Sequence, residues 1–353
     1  MRLAVILALV AATSGCRKKT PAARPLLGDP VASFDGDPLV AMRDELADQV
    51  LASYGRDEPP DVETRMISRA IGPARIGVGP GDVLVTADDF ARAPSRWPLY
   101  LGHEAKLDLQ SKRLAVELAA DRSAAWVSDE VSWRIPACGR TAVVPMRMTA
   151  LFAHDGDRWV PVYEHLSFAR PPVPDAEGLI GKAIKSASVD RDLSDALSHA
   201  VARTPGFVAP DATLIGPTPD DLWRGPEAIQ SIPPVLVAED RRIGLVGRVA
   251  DTATVAYWIG NFVIDVPARG GKPAGKVRVR GTFAFERRLY VAPGQTPPTP
   301  APKCSDDPKA CRWLLVQAHV SAPIRDLDLA TGVFGVSLAT PYVSDQPLSL
   351  SCD

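Results

Sequence analysis

The chain has 353 residues, of which 46% are hydrophobic and 23% charged, and its 40 Lys and Arg residues nearly balance its 42 Asp and Glu residues. This composition is globular and excludes a chain disordered throughout, a collagen-like chain and a polytopic membrane protein. Because the formal net charge is only -2, no global basic field attracts nucleic acid, and we expect no nucleic-acid partner.

The N-terminus has the pattern of an export signal. Arg2 precedes an apolar segment from Leu3 to Ala12, which is followed by the small residues Thr13, Ser14 and Gly15. A helix of about ten residues rises roughly 15 Å, half of the bilayer core. The segment therefore predicts a cleaved signal peptide over residues 1–15 rather than a membrane span.

The residue after this segment is a cysteine, Cys16. Its context, Ser-Gly-Cys followed by three basic residues, resembles the signal of a bacterial lipoprotein, which implies lipidation of Cys16. The lipid would anchor the protein to a membrane of the cell envelope, facing the periplasm or the exterior. An ordinary cleaved signal with an incidental cysteine is the alternative. Three prolines then predict a stiff, extended tether over residues 16–35.

The elements that follow are predicted as helices and then strands, and this order occurs twice. Helical spacing of apolar residues covers 39–51 and 62–70 in the first half and 179–184 and 193–201 in the second. Strand patterns cover 125–135, 142–152 and 159–168, and again 254–266, 276–285 and 312–320. Helices packed on one face of an antiparallel sheet define an α+β domain.

Short motifs recur in the two halves. The matched segments are Trp126 to Asp129 with Trp258 to Asn261, and Trp159-x5-His165-x-Ser167 with Trp313-x5-His319-x-Ser321. The two matches lie 132 and 154 residues apart, and the extra 22 residues fall in a longer loop of the second half, so together the matches indicate an internal duplication. It divides the chain into domain 1 at residues 36–172 and domain 2 at residues 173–340. Domain 2 carries an inserted Pro-rich loop at 287–311, and a C-terminal tail follows at 341–353.

The helical start and the closing Trp-x5-His-x-Ser strand resemble the SnoaL-like branch of the nuclear transport factor 2-like (NTF2-like) superfamily. The resemblance implies two tandem cone-shaped domains, each with helices packed on a curved, mostly antiparallel sheet that encloses a pocket. Members of that superfamily include polyketide cyclases, isomerases, dehydratases and proteins without activity. Because two copies in one chain can replace the dimer of single-domain relatives, we expect a monomer with a pseudo-dimeric domain pair.

The closing strands supply the candidate pocket residues. Alternation along a strand predicts one face with Trp159, Pro161, Tyr163, His165 and Ser167, and its counterpart with Trp313, Leu315, Gln317, His319 and Ser321. With the preceding strands, the predicted pocket-lining residues are Trp126, Tyr163, His165, Trp258, Asn261, Gln317 and His319. The alternative for each histidine is a structural hydrogen bond to a neighbouring strand or to the other copy.

Acid–base chemistry would need a carboxylate in the same cavity as an imidazole. Asp129 and His165 are the candidate pair, with Asp129 as base and His165 as acid or orienting partner. Asn261 stands at the matched position of the second copy and cannot take up a proton. We therefore expect non-catalytic binding of a small apolar ligand or a protein partner, or scaffolding, with a cyclase- or isomerase-type enzyme as the alternative.

The cysteines and basic residues lead to three smaller predictions. Cys304 and Cys311 bracket a turn-rich loop that a disulfide would close in an oxidising compartment, and free thiols are the alternative. The sequence has no Cys-x-x-Cys pair and no nucleotide-binding loop, so we predict neither a metal nor a cofactor. Lys276, Arg278 and Arg280 alternate with valines and predict a solvated basic sheet face, with anion binding as the alternative.

Overall fold

The computed structural model describes residues 37–54, 76–78, 84–85, 108–137, 140–169, 191–202, 204, 206–218, 220–225, 237–238, 244–249, 254–266, 268, 274–290, 296, 299, 303–304 and 306–322. The predicted signal peptide, tether and C-terminal tail, and the predicted helices at 62–70 and 179–184, lie outside these residues. None of the helices within them is long and apolar enough to cross a membrane.

Two helices are described, one before each group of strands. Helix α1 (Pro38–Ser53) begins after Asp37, whose carboxylate accepts a hydrogen bond of 2.9 Å from the backbone N–H of Leu39, and it has proline in its first turn. Helix α2 (Arg191–Val201) buries an apolar stripe made by Leu193, Ala196, Leu197 and Ala200. Both helices coincide with predicted ones.

Fourteen strands are described, and they form two seven-stranded sheets. The first sheet contains β1 (Ile76–Val78), β2 (Leu84–Val85), β3 (Asp108–Ser111), β4 (Ala115–Leu118), β5 (Ala124–Ala137), β6 (Arg140–Asp155) and β7 (Arg158–Phe168). The second sheet contains β8 (Val208–Ile215), β9 (Leu222–Arg224), β10 (Val237–Ala238), β11 (Gly244–Val249), β12 (Val255–Val266), β13 (Gly275–Leu289) and β14 (Cys311–Ser321). A 3-10 turn, Pro308–Ala310, precedes β14.

The two sheets share one strand order. It is β2-β1-β7-β6-β5-β3 in the first sheet, with β4 also on β5, and β9-β8-β14-β13-β12-β10 in the second, with β11 also on β12. All pairs are antiparallel except β1 with β7 and β8 with β14, which are parallel and occupy matching places. Helices followed by a mostly antiparallel sheet agree with the predicted α+β class.

Each closing strand carries a β-bulge at the same place. The register between β6 and β7 shifts after Leu151, and the register between β13 and β14 shifts after Ala284, which leaves Val162 and Val316 as the extra residues. A bulge reverses the alternation of side chains on its strand. The predicted single face is therefore split: Trp159 and Pro161 lie on one face of the first sheet, and Tyr163, His165 and Ser167 lie on the other. Trp313 and Leu315 are separated from Gln317, His319 and Ser321 in the same way.

The register also corrects one sequence match. Trp126 lies opposite Leu151, whereas the residue at the matching place opposite Ala284 is Tyr257 and not Trp258. Because neighbouring residues of a strand point to opposite faces, this shift of one residue puts Trp126 and Trp258 on opposite faces of their sheets. By the same register Asn261, opposite Arg280, matches Glu130, opposite Arg147, rather than Asp129.

Each sheet has a helix face and a contact face. The helix face of the first sheet packs Met148 and Leu166 with Leu46 and Val50 of α1. The contact face carries Trp126, Leu151 and Tyr163, which belong to the same apolar cluster as the core of the second sheet. Residues 36–353 accordingly form one compact unit.

Candidate functional site

The two predicted histidines meet between the sheets. The rings of His165 and His319 stack with centroids 3.7 Å apart and planes inclined by 17°. Both residues are 0% exposed. The spacing that the two closing strands share therefore brings the imidazoles together at the contact between the two sheets and not in two separate cavities.

Both nitrogens of each ring are hydrogen-bonded to hydroxyls of the opposite sheet. His165 Nδ1 lies 2.9 Å from Thr282 Oγ1, and His165 Nε2 lies 2.8 Å from Ser321 Oγ. A neutral imidazole has one donor and one acceptor nitrogen, and a hydroxyl can serve either of them. The ring of His165 is therefore saturated.

The bonds of the second ring mirror those of the first. His319 Nδ1 lies 3.1 Å from Thr149 Oγ1, and His319 Nε2 lies 2.8 Å from Ser167 Oγ. Thr149 pairs with His165 across β6 and β7, just as Thr282 pairs with His319 across β13 and β14. Each sheet thus supplies one ring and two hydroxyls, and the four hydrogen bonds are related by a local pseudo-two-fold arrangement. We call these six residues the histidine stack.

Burial lowers the pKa of both imidazoles well below the usual 6.5, because a charged ring would lose its hydration. The neighbouring His319 and the cation of Arg280 lower the pKa of His165 further, and the cation of Arg147 does the same for His319. The rings are neutral at physiological pH.

Further polar bonds cross the contact beside the stack. Tyr163 donates its hydroxyl proton to Gln317 Oε1 over 3.4 Å, and Gln317 Nε2 donates to the backbone carbonyl of Val127 over 2.9 Å. The ring of Tyr163 also lies edge-on to that of Tyr257, with centroids 6.0 Å apart. Burial raises the pKa of the Tyr163 phenol, so its proton stays in place.

Arg147 makes a buried charged contact between the two halves. One guanidinium nitrogen donates to the backbone carbonyls of Gly216 and Asp221, over 2.9 and 2.8 Å, in the turn between β8 and β9. The residue is 3% exposed. A cation held in this way fixes the turn of the second sheet to the contact face of the first.

The predicted pocket residues thus divide into two groups. Five of them, Trp126, Tyr163, His165, Gln317 and His319, are buried in the contact between the sheets.

The other two predicted pocket residues lie on β12. Trp258 packs in an aromatic cluster, with its ring centroid 5.2 Å from that of Phe262 and 5.9 Å from that of Phe283. Asn261 is half-buried opposite Arg280. Neither residue lines the cavity described below.

The structure does not bring Asp129 and His165 together. Asp129 lies opposite Met148 and His165 lies opposite Thr149, and adjacent residues of β6 point to opposite faces. On the helix face, Asp129 accepts hydrogen bonds from the backbone N–H of Arg113 over 2.9 Å and from the Tyr54 hydroxyl over 3.1 Å. Burial raises the pKa of the Asp129 carboxyl although these bonds oppose the shift. The predicted acid–base pair is therefore separated by the sheet.

A cavity of about 570 Å³ lies on the helix face of the second sheet. It is lined by Asp192, Asp195, Ala196, His199, Phe207, Arg287, Lys309, Cys311, Arg312 and Trp313. Cys311 is bonded to Cys304 with an S–S distance of 2.04 Å, as the loop between them predicted. We call this cavity the α2 cleft.

The predicted basic face is not a solvated stripe. Lys276 is exposed, whereas Arg280 is 0% exposed and lies at the place that corresponds to Arg147. The side chain of Arg278 lies outside the described residues. Within the described ranges, no group of three or more His, Cys, Asp or Glu side chains could hold a metal ion.

Sequence reasoning missed the threonines and arginines of the contact. Arg147-Met-Thr149 and Arg280-Gly-Thr282 form an Arg-x-Thr motif that recurs in the two halves at equivalent strand positions. Comparing β6 with β13 residue by residue would have shown it. No comparable sequence motif indicates that each histidine ring forms its hydrogen bonds with the other sheet.

No protein-family model matches the chain, and no curated protein sequence matches it. Solved structures of NTF2-like proteins are similar to parts of it. They include one of unknown function from Prochlorococcus marinus (12% identity, TM-score 0.28), which covers 36% of this chain and 93% of its own. One from Cytophaga hutchinsonii has 10% identity and a TM-score of 0.26 and covers 37% of this chain and 98% of its own.

A third similar structure is an NTF2-like protein of unknown function in nutrient uptake from Rhodospirillum rubrum. It has 17% identity and a TM-score of 0.24 and covers 36% of this chain and 97% of its own. All three of these solved structures are named as NTF2-like proteins.

Proposed function

We propose that this chain is a non-catalytic binding or scaffolding protein of the cell envelope, built from two tandem NTF2-like modules. Module 1 is residues 36–172 and module 2 is residues 173–340, and the histidine stack joins them. Three features support the duplication: the common strand order, the bulges at Val162 and Val316, and the motifs shared by β6 with β13 and by β7 with β14.

The observation that carries the proposal is the closure of the histidine stack. A general acid or base must reach the proton that it transfers, directly or through one water molecule. Both rings are fully buried, and every ring nitrogen is already bonded to a hydroxyl of the other module. The imidazoles therefore hold the modules together and do not act on a substrate. A small ligand would bind in the α2 cleft instead.

Native mass spectrometry and turnover assays test this proposal. The mature chain should have the mass of a monomer and should release any co-purified small molecule unchanged. Ketone substrates of the cyclase and isomerase kinds should not be converted by the wild type or by Asp129→Asn. Conversion that Asp129→Asn abolishes would show an enzyme, and a stable dimer would contradict the internal pairing of modules.

Membrane attachment is the second part of the proposal and depends on Cys16. Cells grown with a clickable palmitate analogue should label the full chain and retain it in the membrane fraction. Cys16→Ser should lose both the label and the membrane association, while Cys304→Ser serves as a cysteine control that keeps them. A Cys16→Ser chain that is still labelled would refute the anchor.

A further inference from the structure

The α2 cleft combines cations, an aromatic wall and an unused hydrogen-bond donor. From this combination we infer that the cleft binds a small organic monocarboxylate with an aromatic or apolar body. The inference rests on the proposed binding function and adds the chemical class of the ligand.

Three cations line the cleft, and only one of them has a counter-ion among the residues that the structure describes. Arg287 lies 4.0 Å from the carboxylate of Asp192, which is 74% exposed. Lys309 and Arg312, in contrast, form no ion pair with any residue of the described ranges. A carboxylate entering between them would gain charge-assisted hydrogen bonds.

Arg312 is positioned by aromatic rings. Its guanidinium carbon lies 3.6 Å from the ring centroid of Tyr290 and 4.7 Å from that of Phe207. The ring of His199 stacks in turn on the ring of Phe207, with centroids 4.2 Å apart. Such stacking restricts the guanidinium before any ligand arrives, which reduces the entropy lost on binding.

Trp313 supplies the donor. It is 4% exposed and lines the cleft, yet its indole N–H has no acceptor among the residues that the structure describes. A buried donor without an acceptor costs free energy, and a ligand oxygen would remove that cost. The guanidinium of Arg287 covers the face of the same indole, with its carbon 4.7 Å from the ring centroid.

The remaining lining sets the charge and shape of the ligand. Ala196, Phe207 and Trp313 offer apolar surface for a planar body. Asp192 and Asp195 stand at the helix side of the cleft and would repel a second negative charge. These two carboxylates favour a monocarboxylate over a phosphate or a dicarboxylate.

Titration calorimetry of the mature chain with naphthoate and with naphthamide, its uncharged analogue, tests the inference. We expect naphthoate to bind about tenfold more tightly, because only the carboxylate pairs with Lys309 and Arg312. Lys309→Gln and Trp313→Phe should each weaken naphthoate by about fivefold or more. Lys276→Gln, an exposed lysine on β13, and Trp159→Phe, the matching tryptophan of module 1, are the controls and should bind naphthoate as the wild type does.

The other outcomes overturn the inference and keep it apart from the proposed function. Equal affinity for the two probes, no binding of either, or equal losses in Trp313→Phe and Trp159→Phe would refute a carboxylate site in the α2 cleft and leave the joined, non-catalytic modules intact. Chemical conversion of bound naphthoate, seen by chromatography, would instead refute the non-catalytic function while the site stands.

Discussion

Acid should weaken this fold through the two buried imidazoles. Their pKa values are lowered in the folded state mainly by burial, so below pH 6.5 the unfolded chain binds protons that the folded chain does not. Stability contributed by the neutral pair is present above pH 6.5 and is lost as the pH falls towards the folded pKa values. In that range each neutral ring lowers the free energy of unfolding by about 1.4 kcal/mol for each pH unit, and the pair lowers it by about 2.8 kcal/mol for each pH unit.

Between pH 7.5 and pH 5 this linkage has an upper limit of roughly 4 kcal/mol, which applies when both rings stay neutral in the folded chain and is a large share of the stability of a typical protein. The assay is guanidinium unfolding of the mature chain, followed by tryptophan fluorescence, at half-unit steps of pH. The double variant His165→Gln/His319→Gln keeps an amide donor and acceptor at each place but cannot titrate. Its free energy of unfolding should lose most of this pH dependence.

Two buried carboxyls also respond to pH, and the variant separates their effect from that of the histidines. Burial raises the pKa of the Asp129 and Glu286 carboxyls, which works in the opposite direction because the folded chain then binds protons more readily than the unfolded chain. The wild type and the double variant both contain these carboxyls. The difference between their slopes of unfolding free energy against pH therefore reports on the histidines alone. A double variant with the slope of the wild type would refute the role given to the stack.

Three further predictions concern stability. Ser167→Ala and Ser321→Ala should each lower the free energy of unfolding by about 1 to 3 kcal/mol in urea titrations and by similar amounts, because each leaves one buried ring nitrogen without a partner; an effect from only one of them would contradict the reciprocal arrangement. Arg147→Met should cost roughly 2 to 5 kcal/mol by the same measurement, since the carbonyls of Gly216 and Asp221 each lose a charge-assisted hydrogen bond, and a neutral effect would show that this contact is dispensable. Reduction of the Cys304–Cys311 bond should lower stability by about 2 kcal/mol, as expected for a short closed loop, and a Cys304→Ser/Cys311→Ser chain should no longer respond to reductant.

The elements of this fold could be predicted largely from the sequence. Helix α1 and the long strands of both sheets lie where apolar spacing placed them, because these segments bury a periodic face. The loop between Cys304 and Cys311 was recognisable because its ends are close along the chain. Such features depend on local pattern alone.

The site was predicted less well because it depends on details that a strand pattern does not contain. A single extra residue, Val162, reverses the alternation that had placed Trp159 beside His165. The Trp motif is short enough to be matched between the two halves one residue out of register. That match assigned Trp258 to the wrong face of its sheet. Arg280 looked solvated because alternating basic residues usually face water, but the part of the face that carries Arg280 is buried in the contact with the other sheet.

The reciprocity of the stack constrains how this sequence can vary. Each ring in one half depends on a threonine and a serine that are more than a hundred positions away in the other half. Loss of His165 alone would leave Thr282 and Ser321 buried without their ring partner and would remove the ring against which His319 stacks. Natural variants of this chain should therefore either keep all six residues of the stack or substitute them together, so that positions in the two halves covary.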